Sequence, residues 1–164
     1  MSDKVYNVLF ICTHNSARSI MAEGLLTSMG GGRFKAYSAG SQPGGTVNPF
    51  ALKTLKAFHI PSDGYRSKDW NEFAQPGAPE LDFVFTVCDN AAGEVCPIWP
   101  GHPMTAHWGV ADPAAFQGTD EAKTKVFWDT ALILKRRIEL MLALPLHSLD
   151  RMAIQREIKD IGTR

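Results

Sequence analysis

Cys12 and Arg18, separated by five residues in Cys12-Thr13-His14-Asn15-Ser16-Ala17-Arg18-Ser19, are of the types that act together on an oxyanion. A thiolate attacking a tetrahedral oxyanion needs a lowered pKa and donors for the outer oxygens. Backbone N–H groups of a loop that opens a helix supply such donors, and a guanidinium adds a forked one. Thr13, His14, Asn15, Ser16, Ala17 and Arg18 are therefore the candidate oxyanion-binding residues, with Ser19 and Asn15 expected to stabilise the Cys12 thiolate. The spacing alone is common in proteins. Its meaning depends on what flanks it: the apolar Val8-Leu9-Phe10-Ile11 before it, and Ile20, Met21, Leu25 and Met29 at helical spacing after it, predict strand, loop and helix.

Three cysteines are present, an odd number that argues against a structural disulfide framework. Cys88 directly follows a second strand-like run, Leu81 to Val87, and Cys96 lies in a Pro-containing loop. Inert core residues, ligands and redox-active thiols all fit that bare description. If the two strands are parallel, Cys12 and Cys88 stand at the same edge of the sheet, beyond the carboxyl ends where α/β folds place their sites. Asp112-Pro113 reads either as a turn or as a carboxylic acid that protonates a leaving oxygen. Cys88, Cys96, His102 and His107 lack both Cys-x-x-Cys and His-x3-His spacing, so no metal is expected there.

The elements that must position these groups follow in order. Strands are predicted at Val5–Ile11, Phe34–Ser38 and Leu81–Val87, with an edge strand at Thr105–Trp108. Helices are predicted from Arg18 to the glycines at 30–32, from Pro49 to Phe58, over 120–143 and over 148–161, with a short one near Asp69–Phe73. Alternation of this kind implies an α/β fold with a parallel sheet and right-handed crossovers. The chain has 164 residues, 45% of them apolar, which suits one domain with a full core.

Its formal net charge is zero, so no basic field exists to draw nucleic acid or an acidic membrane surface. No secretory signal or membrane-spanning run is seen, and a cytoplasmic location is the default expectation. Neither repeats nor linkers interrupt the chain.

The stretch Cys12 to Ser19, with Met21-Ala22-Glu23-Gly24 after it, resembles the phosphate loop of the low-molecular-weight protein tyrosine phosphatases. It is closer still to the arsenate reductases that share their fold. Tyr37-Ser38-Ala39-Gly40, Val47-Asn48-Pro49, Val87-Cys88-Asp89, Cys96-Pro97-Ile98 and His107 to Pro113 continue the resemblance in order. It implies a flavodoxin-like three-layer α/β fold with a four-stranded parallel sheet over residues 1–145. Residues 146–164 would form a C-terminal helical extension packed on the same domain.

The resemblance further implies a thiol relay that reduces arsenate. Cys12 attacks arsenate and Asp112 aids departure of the leaving oxygen. Cys88 then attacks Cys12 and releases arsenite, and Cys96 carries the disulfide outward as Cys88–Cys96. No cofactor is bound; thioredoxin is the expected reductant, with glutathione and glutaredoxin as the alternative. Phosphate and sulfate would bind as substrate analogues, and the protein would be a monomer or weak dimer. Two other activities remain open: phosphomonoester hydrolysis through a Cys12 phospho-enzyme, and non-enzymatic redox sensing.

Ala114-Ala115-Phe116 follow Asp112-Pro113 where the phosphatases usually carry tyrosines, which favours the reductase. Seven residues separate Cys88 from Cys96, one more than in the best-known thioredoxin-linked members. His14 replaces a glycine of many relatives. Asn15, Glu23, Ser38 and Asp69 match residues that hold a potassium ion behind the loop in some relatives; the expectation carried forward is that no metal is bound.

Overall fold

The computed structural model describes residues 4–88, 99 and 101–164. Strands β1 (Tyr6–Cys12), β2 (Phe34–Gly40), β3 (Phe83–Thr86) and β4 (Met104–His107) form one sheet in the order β2-β1-β3-β4. Every pairing is parallel. Among the described residues, the helices are α1 (Arg18–Met29), α2 (Pro49–Ala57), α3 (Asp120–Leu142) and α4 (Arg151–Ile161), with 3-10 turns at Trp70–Ala74, Pro113–Ala115 and Leu146–Ser148. Among the described residues, no helix is long and apolar enough to cross a membrane.

β1 is central because its side chains leave no solvated face. Val8, Leu9, Phe10 and Ile11 are fully buried, as a strand covered on both sides requires. Phe10, Phe85 and Trp108 stack beside one another in the core. α1 packs against β2, α2 and α3, while α4 lies along the edge strand β4.

Capping separates α1 from the other three described helices. Asn48 accepts from the Phe50 amide to start α2, Thr119 from Ala122 to start α3, and Asp150 from Ala153 to start α4. α1 begins at Arg18 with Ala17 as its cap residue, and no side chain takes its first amides. Those donors remain available at the positive end of the helix dipole.

Several boundaries differ from the sequence expectation. β2 runs two residues past Ser38, because Ala39 and Gly40 pair with Ile11 and Cys12. β3 is shorter than Leu81–Val87: Asp82 instead bridges β1 and β4 through its N–H to the Asn7 carbonyl and its carbonyl to the Met104 N–H. The last helix starts at Arg151 instead of 148, since Leu146–Ser148 form a separate turn and Asp150 provides the cap. The C-terminal segment is tied to the sheet edge. Gln155 donates to the Thr105 carbonyl at 2.7 Å, and the Trp108 indole donates to the Ile158 carbonyl at 2.9 Å.

Candidate active site

β1 and β3 end side by side, with Ile11 paired to Thr86 and the Val87 amide donating to the Ile11 carbonyl at 2.8 Å. That register delivers Cys12 and Cys88 to the same sheet edge, as the parallel reading required. Both are buried and unbridged. Cys88 Sγ lies 3.2 Å from the Thr13 N–H, which donates to it, and 3.3 Å from the Thr13 hydroxyl. The second thiol therefore touches the loop that begins at the first. Cys96 lies outside the described residues.

The loop's peptide planes are aimed by their outward carbonyls. Thr13 O accepts from Gln42 N–H, His14 O from Gly44 N–H and the Ser67 hydroxyl, and Ser16 O from Asn48 N–H. Ala17 O accepts from Met21 N–H inside α1. In a trans peptide the N–H points opposite to the preceding carbonyl. The amides of His14, Asn15, Ala17 and Arg18 thus face away from these outward partners, where donors for an anion belong.

Asn15 makes the turn. It has a φ of 48°, is fully buried, donates to Ser19 Oγ at 2.8 Å and accepts from the Lys68 N–H at 2.9 Å. An asparagine tolerates this left-handed conformation better than most residues. His14, where many relatives have glycine, has no positive φ. Its exposed ring donates from Nδ1 to the Gln42 carbonyl at 3.2 Å. The substitution is therefore accommodated without strain, and the special conformation falls one residue later.

Gly40 is needed for a different reason: a Cβ there would lie 2.6 Å from the Thr13 carbonyl oxygen and 3.0 Å from the Asn15 amide nitrogen. Only a bare α-carbon lets β2 pass so close beneath the loop.

Ser19 Oγ sits 2.9 Å from Cys12 Sγ. Burial pushes the Cys12 thiol above its ordinary value of 9.0; the Ser19 hydroxyl and backbone and the Arg18 charge oppose the rise, and Cys88 adds to it. The groups expected to stabilise the thiolate are in place, with Asn15 donating to Ser19 and Ser19 beside Cys12 Sγ, and burial of the sulfur works against them. Ser19→Ala is expected to slow iodoacetamide alkylation of Cys12 by about tenfold at neutral pH and to move the half-maximal pH upward. Mass-spectrometric rates across a pH series would show it, and an unchanged profile would deny Ser19 this role.

Arg18 reaches across to the segment after β4. Its Nη1 donates to the Val110 carbonyl at 3.1 Å, and its Nη2 lies 3.7 Å from Asp112 Oδ2. Asp112 also accepts from the Ala114 N–H at 3.0 Å, so it caps the turn at Pro113–Ala115 while facing Arg18. The turn reading holds, and the same carboxylate stands beside Arg18.

Sequence reasoning missed Arg137, whose guanidinium is buried on the apolar face of α3. It donates to the carbonyls of Trp108 at 2.8 Å and Gly109 at 3.0 Å, and so braces the segment that leads from β4 to Val110 and Asp112. Burial pulls its pKa below the usual value. An arginine within an otherwise apolar helical stripe was the available signal.

Of the four residues matched to a potassium site, Glu23 and Ser38 are hydrogen-bonded to each other, and Asn15 contacts Ser19 and Lys68. Asp69 turns away to cap Trp70–Ala74 through the Asn71 N–H. Among the described residues, no group of three or more His, Cys, Asp or Glu side chains converges on a metal-binding point.

A family model described as low molecular weight phosphotyrosine protein phosphatase matches residues 7–153, from β1 into α4. The chain belongs to this family. Within it, an arsenate reductase of Halalkalibacterium halodurans is 41% identical over 127 residues, 77% of this chain and 86% of that protein. A solved structure titled as an arsenate reductase in the phosphate binding state superposes with a TM-score of 0.65 at 26% identity, covering 85% of this chain and 98% of the other. The thioredoxin-dependent arsenate reductase of Corynebacterium glutamicum gives 0.56 at 25% identity, covering 85% of this chain and 65% of that one. The four-stranded parallel sheet is thus the family's fold.

Proposed function

We propose that this protein reduces arsenate to arsenite through a thiol relay starting at Cys12. The observation that carries the reading is the placement of Cys88: a second buried thiol hydrogen-bonded to Thr13 inside the anion loop. Hydrolysis of a phosphate ester uses a single thiol with water, and leaves Cys88 without a chemical task. Reduction of arsenate consumes two electrons, which two thiols supply by becoming a disulfide.

The inward amides and Arg18 hold the oxyanion, and Cys12 sulfur attacks arsenic. An arsenate oxygen leaves as water, with Asp112 delivering a proton as general acid. Cys88 sulfur then attacks Cys12 sulfur. The S–S bond forms, the S–As bond breaks, and its electron pair stays on arsenic, which departs as arsenite. Cys96 attacks Cys88 in turn and frees Cys12. An external dithiol finally reduces the Cys88–Cys96 bond. Thioredoxin is the reductant we assign, in keeping with the Corynebacterium relative.

Arsenate-dependent oxidation of NADPH in the presence of thioredoxin and thioredoxin reductase tests this. One arsenite should appear per NADPH consumed. Absence of arsenate-dependent oxidation with both thioredoxin and a glutathione/glutaredoxin couple, alongside hydrolysis of an aryl phosphate, would make the protein a phosphatase.

A further inference from the structure

Beside the anion loop, held to it through Asn15, Lys68 reaches into a cage of oxygens. Its Nζ donates to the Arg66 carbonyl at 2.8 Å, lies 3.5 Å from Ser38 Oγ and stands 4.0 Å from Glu23 Oε1. The side chain is 9% exposed and that of Glu23 19%, so this pair is largely withdrawn from water, unlike the exposed Arg66–Glu72 pair beside it. The Ser38 hydroxyl donates to Glu23, which leaves its lone pairs for the ammonium.

The same residue grips the loop through its backbone. Lys68 N–H donates to Asn15 Oδ1 at 2.9 Å, and its carbonyl accepts from Gly40 N–H at 2.8 Å. Asn15 is the left-handed residue of the loop, and its amide continues to Ser19 and so to Cys12. One residue therefore connects α1 through Glu23, β2 through Ser38 and Gly40, and the turn of the loop through Asn15. A metal cation does not fit here. The Asn15 oxygen already accepts from Lys68, Asp69 faces elsewhere, and a second positive charge would meet the ammonium.

We propose that Lys68 is the resident cation of the anion loop, a positioning residue whose ammonium gathers Glu23 and Ser38 as a bound monovalent metal ion would. The loop is then set in any salt. The idea rests on the anion-loop reading, so its test has one readout that does not.

Melting temperature and affinity for inorganic phosphate are measured in potassium, sodium or tetramethylammonium chloride at equal ionic strength. The wild type should show the same melting temperature and phosphate affinity in all three salts. Lys68→Ala opens a cage of carboxylate, hydroxyl and carbonyl oxygens. In tetramethylammonium it should bind phosphate about tenfold more weakly. Potassium, but not tetramethylammonium, should restore its affinity and raise its melting temperature. Lys68→Gln keeps the space filled, and should be weakened without cation rescue.

Selective stabilisation of the wild type by potassium overturns the proposal. So does unchanged affinity of Lys68→Ala in every salt, or a loss that potassium fails to relieve. A wild type that binds no phosphate would sink the anion-loop reading, while the cation dependence of melting still decides the role of Lys68.

Discussion

Cys88→Ser should lose arsenite production while keeping the loop intact. The serine oxygen still accepts from the Thr13 N–H and hydroxyl, which at present donate to or contact Cys88 Sγ at 3.2 and 3.3 Å. The fold and the anion-binding amides should therefore survive. What disappears is the sulfur that attacks Cys12, and an alcohol does not form the S–S bond that leaves electrons on arsenic. Turnover with arsenate should fall on the order of a thousandfold or more, as for other residues whose removal deletes a covalent step. Any hydrolysis of an aryl phosphate, which passes through Cys12 alone, should stay near the wild-type rate. Single-turnover assays of arsenite release alongside aryl-phosphate hydrolysis read both. Normal arsenate reduction by this variant would remove Cys88 from the mechanism.

The pairing of Cys12 with Cys88 was legible because strand ends are written locally. Two apolar runs, each ending in a cysteine, needed only parallel pairing to bring the thiols together, and β1 and β3 supply it. The helix start at Arg18 was legible for the same reason, since polar loop and apolar face change over at that residue. Lys68 was not. It is 53 residues from Asn15 in the chain, and nothing in the turn-rich segment around it announces that its backbone will clasp the loop. Arg137 was hidden by its setting, because α3 reads as a simple amphipathic stripe and one cation within it looks like a neighbour of the polar face. The surroundings of Cys12 were legible only in part: charge and dipole can be read from residue types, whereas the desolvation that opposes them depends on how deeply β1 is covered.

Arg18→Lys is expected to separate catalysis from stability. The guanidinium spans two targets at once, with Nη1 at 3.1 Å from the Val110 carbonyl and Nη2 at 3.7 Å from Asp112. Its side chain is 13% exposed, against 37% for Asp112. A contact of that length to a carboxylate in water adds little to folding, of the order of a few tenths of a kcal/mol. Lysine keeps the charge, so the melting temperature should move by no more than about two degrees. The ammonium has no fork, however, and one point charge does not bind an oxyanion bidentately while staying anchored to the acid-bearing segment. Losing a donor that acts on developing charge costs about 3 kcal/mol, which is roughly a hundredfold in kcat/KM for arsenate. A variant within threefold of the wild type would mean that the loop amides alone carry the charge. A large fall in both stability and activity would make Arg18 chiefly a structural tie between α1 and the segment after β4. The expected pattern, an unmoved melting temperature with a hundredfold slower reaction, assigns the fork to the oxyanion.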